Sequence, residues 1–350
     1  MGRTPVTERG PPKLRMRQPV RTVWRVFAQK TPINAQLIIT RRCNLSCGYC
    51  FEYDNESAPV PLDTLKQRID ALHRLHVTSL TLLGGEPLMH PQLCDVVRHT
   101  ARKCITTLIT NGFLLTPGIV DDLNEAGLDH MQISVDSLMP TPDMFIQKSL
   151  KSLRRRLEML LERARFALHV TTVLCPETVD GFDEFVGEIE TVGIPVSAGL
   201  VHDEDGRIAV QGQPYIDAWS DFHERGGRFA SIERDYGAAL LRGEEPEWHC
   251  RAGHRYLYVD EHGILQFCAS QMGRIDKQIV ECTPDDLRAY GREKKGCEPG
   301  CIIGCAYRAS VIDANPLPLV RDYLRGELRL RRSTRNRPSH SADVRDSAEA

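Results

Sequence analysis

From residue 34 to residue 203 the chain alternates between two hydrophobic periods. Apolar runs of strand length fall at Ala35–Thr40, Ser79–Leu83, Thr106–Thr110, His130–Val135, Leu168–Leu174 and Val196–Val201. Between them, 62–76, 91–103, 117–126, 146–165 and 180–192 read as amphipathic helices. Leu65, Ile69, Leu72 and Leu75 share one helical face, as do Leu153, Leu157, Leu160 and Leu161. Ile119, Leu123 and Ala126 repeat the spacing before Gly127, which should stop that helix.

Strands joined one by one through helices predict parallel pairing with right-handed crossovers. The sheet is then an open doubly wound sheet or a full or partial barrel, and in both the chemistry sits at the C-terminal strand ends. Unusual residues do gather there. Arg41-Arg42-Cys43 follows the first run, Gly84-Gly85-Glu86-Pro87 the second and Asn111-Gly112 the third. Ser134 and Asp136 end the fourth, and His202 and Asp203 follow the sixth.

Composition sharpens this picture at one point. The 350 residues carry 45 Lys plus Arg against 47 Asp plus Glu, so bulk electrostatic binding of nucleic acid is not expected. No apolar run is long enough for a transmembrane helix, and the basic, proline-bearing start lacks a secretory core, so a cytoplasmic setting is expected. The 12 cysteines are too few for a disulfide scaffold, and in a reducing compartment clustered cysteines favour metal. The basic start reads as a solvated lead-in with one short helix (Val20–Lys30), or as a surface attracting acidic peptide or membrane. The Arg-rich, apolar-poor end reads as disordered.

Cys43, Cys47 and Cys50 form C-x3-C-x2-C in one loop. A zinc site usually takes four protein ligands, and no histidine lies near. Three thiolates on a cubic [4Fe–4S] cluster would leave one iron open to a chelating ligand. This loop, with aromatic Tyr49 before the last cysteine and Gly84-Gly85-Glu86-Pro87 after the second strand, resembles the radical S-adenosylmethionine (SAM) superfamily. The resemblance covers about residues 34–203 and implies a partial (β/α)6 TIM-type barrel. It implies a SAM-binding [4Fe–4S] cluster on Cys43, Cys47 and Cys50, and Gly84, Gly85 and Glu86 at the methionine amino group. Asn111 and Ser134 resemble positions near the SAM pocket; an Asn-Gly turn and a strand-end cap are their bland alternatives. Asp136 is open between a substrate contact and a structural carboxylate.

Six more cysteines lie after residue 245. Tyr256–Val259 and Ile264–Phe267 read as a hairpin that would bring Cys250 and Cys268 to one end. Cys297, Cys301 and Cys305 follow at helical spacing, with a helix expected to start near Cys301. This resembles the twitch or SPASM extension of radical SAM enzymes, an α+β region that holds auxiliary [4Fe–4S] clusters. The spacing Cys250-x12-Gly263-x4-Cys268 matches, whereas C-x3-C-x3-C departs from the full SPASM pattern. One auxiliary cluster is the economical expectation, on Cys250, Cys268, Cys301 and Cys305 with Cys297 the uncertain member; structural zinc stays open. Cys94, Cys104, Cys175 and Cys282 read as ordinary thiols.

The expected organisation is a basic lead-in (1–33), a barrel core (34–205), a connector (206–244), an auxiliary region (245–315) and a basic tail (316–350). The implied activity is reductive cleavage of SAM to a 5′-deoxyadenosyl radical that abstracts hydrogen from substrate. An auxiliary cluster tilts the outcome toward oxidation, and the resemblance to twitch and SPASM enzymes, many of which modify peptides, implies a peptide substrate. The alternatives are dehydrogenation or rearrangement of a small metabolite and, more distantly, a non-catalytic metal-binding interaction protein. The implied partners are the substrate, an electron donor such as flavodoxin or ferredoxin, and for a peptide either a separate recognition protein or the barrel itself.

Overall fold

The structure is a computed structural model that describes residues 12, 14, 19–225, 230–317 and 321. The Arg-rich end expected to be disordered and most of the stretch before residue 19 lie outside the described residues. Six strands follow the expected runs: β1 (Asn34–Thr40), β2 (Ser79–Gly84), β3 (Ile105–Thr110), β4 (His130–Ser134), β5 (Ala167–Leu174) and β6 (Val196–Leu200). Each pairs in parallel with the next, from β1 to β6. The helices between them are α2 (Leu62–Arg74), α3 (Leu93–Ala101), α4 (Pro117–Ala126), α5 (Leu150–Arg163) and α6 (Phe182–Val192), after a short α1 (Pro19–Phe27). Leu65, Ile69, Leu72, Leu153, Leu157 and Leu160 are buried against the sheet, so the helical stripes are the core faces.

β1 and β6 do not pair, so the barrel stays open. The C-terminal hairpin β7 (Tyr256–Val259) and β8 (Leu265–Gln266) takes the free edge of β1. β7 runs parallel to β1, with Asn34 beside Tyr256, and β8 returns antiparallel. One eight-stranded sheet results, a mostly parallel, unclosed partial barrel. In residues 206–244, α7 (Gln213–Glu224) packs on α8 (Ala230–Leu241). Short α9 (Pro284–Tyr290) and α10 (Gly304–Ala314) complete the fold. Among the described residues no helix is long and apolar enough to cross a membrane.

The parallel β1–β7 register fixes where the thiols lie. The Cys43–Cys50 loop leaves the C-terminal end of β1. Cys250 precedes β7 and Cys268 follows β8, so both lie toward the N-terminal end of β1. The seven residues of β1, at about 3.3 Å each, separate the two regions.

Candidate functional site

The cysteine loop is held against β2 by close backbone contact. Gly85 N–H donates to the Thr40 carbonyl (3.0 Å) and Glu86 N–H to the Arg42 carbonyl (2.7 Å). Gly84 adopts φ +141°, and a Cβ there would stand 1.9 Å from the Thr40 carbonyl oxygen; one on Gly85 would stand 2.3 Å from that of Arg42. The glycines thus admit the chain's own loop. Gly48 is constrained from the other side, since a Cβ there would lie 2.0 Å from the Phe145 ring.

Glu86 is fully buried, and burial pushes its pKa up. Its Oε1 accepts from Leu88 N–H (2.9 Å) and the Thr110 hydroxyl (2.8 Å); its Oε2 accepts from Asn111 N–H (2.7 Å). Three of about four acceptor sites on a carboxylate are therefore used within the protein. The Asn111 amide donates to Asn44 Oδ1 (2.8 Å) and to Cys43 Sγ (3.7 Å). Asn111 therefore reaches the cysteine loop while its Oδ1 also accepts Phe113 N–H (3.0 Å) in the local Asn-Gly turn. Ser134 ends β4 opposite Thr171, whose hydroxyl lies 3.4 Å from that of Ser197.

Tyr49 packs on Phe145, with ring centroids 6.2 Å apart, and its hydroxyl donates to Asp136. Asp136 is buried and also accepts from Val173 N–H (3.2 Å) and pairs with Lys148 (3.2 Å). It thus joins the loop, β5 and the stretch before α5. Lys148 and Phe145 carried no sequence signal: they lie in an irregular stretch before α5, outside any motif. Arg41 pairs with Glu52 (2.7 Å) and Glu261 (2.9 Å), and the Tyr258 hydroxyl donates to Glu52, tying the loop to the hairpin.

Cys43, Cys47 and Cys50 share this loop, and burial raises the pKa of each thiol. Leu45 N–H points at Cys43 Sγ (3.4 Å), as Asn111 does. A buried Cys47 and half-buried Cys43 and Cys50, with N–H donors on Cys43 sulfur, suit a cationic iron–sulfur centre, which would take them as thiolates.

In the C-terminal region Cys250, Cys268, Cys297 and Cys301 are buried together. Burial pushes Cys250 up to about 11 and Cys268 up to about 12, and the charges of Cys250 and Cys297 both bear on Cys268. Cys301 donates to Cys297, which lowers the pKa of the Cys297 thiol. Backbone N–H groups of Ala252, Ser270 and Ile303 face Cys250, Cys268 and Cys301. This grouping differs from the expected one. α10 begins at Gly304, after Cys301, so the helical spacing of the three cysteines is never realised. Cys297 folds in through the Gly296 and Gly300 turns (φ +80° and +83°). Cys305, on α10, instead accepts from Gln36 (3.6 Å) on β1 and Arg308 (3.9 Å). Among the described residues no three His, Cys, Asp or Glu side chains close to the spacing of a single metal ion.

A polar row crosses the sheet's inner face between the two thiol groups. Gln36, Thr81, Thr107 and His130 stand side by side by register. His130 stacks on His169, with centroids 5.8 Å apart. Burial lowers their pKa values to about 4 and about 3, so both are neutral near pH 7.

Comparison with known proteins matches residues 37–189 to the Radical SAM superfamily. A probable GTP 3′,8-cyclase of Methanopyrus kandleri is 27% identical over 213 residues, 55% of this chain and 68% of that protein. A PqqA peptide cyclase of Ruegeria pomeroyi is 35% identical over 117 residues, 32% of this chain and 31% of that protein. The chain thus spans about two thirds of the first relative and under a third of the second. The crystal structure of Streptococcus suis SuiB bound to precursor peptide SuiA superposes with a TM-score of 0.57. It covers 78% of this chain and 68% of that one, and at 14% identity shows the shared fold alone.

Proposed function

We propose, for a chain that carries a radical SAM domain over residues 37–189 and uses that family's [4Fe–4S] cluster and SAM, that it oxidatively modifies a peptide. Cys43, Cys47 and Cys50 would hold the cluster that engages SAM. Cys250, Cys268, Cys297 and Cys301 would hold an auxiliary one. When bound, cluster and SAM supply one-electron cleavage of the C5′–S bond and a radical that abstracts hydrogen. The protein's part is positioning and exclusion of water. Glu86 fixes Asn111 beside Cys43, Asp136 orients Tyr49, and the Phe145 ring covers Gly48.

The observation that carries this reading is the convergence of three strand ends on one thiol loop. β1 supplies the cysteines, β2 supplies Glu86, and β3 supplies Asn111, whose amide reaches Cys43 sulfur. The unclosed sheet and its polar row would give a substrate an inner face to lie on. The likeness in fold to SuiB, solved with a precursor peptide, supports a peptide. The GTP 3′,8-cyclase relative favours a second reading, a small biosynthetic metabolite.

The test uses anaerobically reconstituted full-length protein reduced with dithionite. It should release 5′-deoxyadenosine from SAM. Cys47→Ala should abolish release yet keep the irons of the auxiliary site. Cys297→Ala should lose about four irons and Cys305→Ala none. Release that survives Cys47→Ala sinks the site assignment, and iron unchanged in Cys297→Ala sinks the auxiliary one.

A further inference from the structure

Lys148 is a buried cation that the account above leaves unused. Its side chain is only 13% exposed, with Nζ 3.2 Å from Asp136 Oδ2 and 4.9 Å from the Tyr49 ring centroid. Its carbonyl accepts Asp136 N–H at 2.7 Å, so backbone and side chain clasp the same carboxylate. Phe145, three residues earlier, covers Gly48, and the Phe145 carbonyl accepts Gly48 N–H (3.0 Å). The ammonium is thus fixed behind the second half of the cysteine loop.

Resting on the cluster reading above, we propose that Lys148 is a positioning residue whose charge sets how readily the group held by Cys43, Cys47 and Cys50 accepts an electron. Uptake of an electron adds negative charge, and a nearby cation out of water stabilises it more than an exposed one would. The ammonium lies over the Tyr49 ring, next in sequence to Cys50, and the Phe145 carbonyl three residues earlier in the chain holds Gly48, next to Cys47, so the charge stands against the loop that carries both thiols. Asp136 opposes this, and Glu86 lies within the same field. The pair therefore makes a prediction of sign that a packing role does not. Removing the cation should disfavour reduction, and removing the anion should favour it.

The experiment is an EPR-monitored redox titration of the full-length protein without SAM, following the signal that Cys47→Ala removes. Lys148→Met, with wild-type iron content, should lower the reduced-to-oxidised ratio at fixed potential at least tenfold, about 59 mV for one electron. Lys148→Arg should stay near wild type, and Asp136→Asn should shift the opposite way. An unchanged potential in Lys148→Met, or shifts of the same sign in Lys148→Met and Asp136→Asn, overturns the proposal. If Lys148→Met does not assemble, Asp136→Asn decides alone: an absent or negative shift overturns it. A wild-type protein with no signal that Cys47→Ala removes overturns the cluster reading beneath it.

Discussion

Glu86→Gln isolates one hydrogen bond at the centre of the site. The amide keeps the shape of the carboxyl and one acceptor oxygen. That oxygen can still serve Leu88 N–H and the Thr110 hydroxyl at 2.9 and 2.8 Å. Oε2, now 2.7 Å from Asn111 N–H, becomes an NH2 group facing a buried donor. Flipping the amide only moves the conflict to Leu88. A hydrogen bond to a charged group is worth about 1.5–3 kcal/mol, and an unsatisfied buried donor costs about 1–3 kcal/mol. Relief from burying a charge offsets part of this, since burial already strains the ionised form. The net expectation is a loss of about 2–3 kcal/mol, read from urea unfolding of the metal-free protein at pH 7. The Asn111 amide is anchored by that same bond, so iron uptake on reconstitution should fall too. A midpoint implying a change within about 0.5 kcal/mol, the range of an inert surface substitution, would show that Glu86 does not organise the turn.

Two other perturbations read different parts of the fold. His130 and His169 have folded pKa values of about 4 and 3, below the unfolded value. The unfolded chain therefore binds more protons between those values and about 6.5, and stability falls with acid. Lowering the pH from 7 to 5 should cost about 1–2 kcal/mol for each histidine; a slope unchanged in His130→Gln/His169→Gln would refute the buried neutral pair. Gly48→Ala forces a methyl into the Phe145 ring and should cost about 1–3 kcal/mol in chemical denaturation; an unchanged midpoint would mean the ring does not cover the loop.

The local elements were legible because local pattern sets them. All six strands lie within two residues of their apolar runs. α4 ends at Gly127 in the left-handed conformation (φ +87°), as its position implies. α5 starts at Leu150, later than its periodicity suggests, because Ser149 caps it and the preceding residues are committed to the cysteine loop. Non-local features were not legible. No pattern in Tyr256–Val259 says that it pairs with β1, and nothing marks Lys148 as the partner of Asp136. Gly84 and Gly85 were recognisable as close-approach positions, but the partner they admit could be named only once Thr40 and Arg42 were placed. The helix expected to start near Cys301 begins at Gly304, after the Gly296 and Gly300 turns.

The edge pairing of β7 on β1 has a consequence for chemistry. Because the two strands are parallel, a loop leaving the top of β1 and thiols flanking the β7–β8 hairpin lie at opposite ends of the same sheet. Seven residues of β1 put them roughly 20 Å apart along the strand. An electron passing from one to the other must cross the inner face, where Gln36, Thr81, Thr107 and His130 make a polar row instead of the apolar layers of a closed barrel. On the proposed reading, a substrate on that row would lie between the three-cysteine loop and the C-terminal thiols. Cys305 belongs to this middle ground. Gln36 bridges it to the Tyr256 hydroxyl (2.6 Å), and Arg308 joins it to Glu233 (3.0 Å). Its contacts to Gln36 and Arg308 set it on α10, and on the proposed reading the other four thiols would supply the ligands of a closed cluster. On the proposed reading, a cluster held by all four thiolates would have no open iron for substrate and could only move electrons, so hydrogen abstraction would fall to the three-cysteine loop.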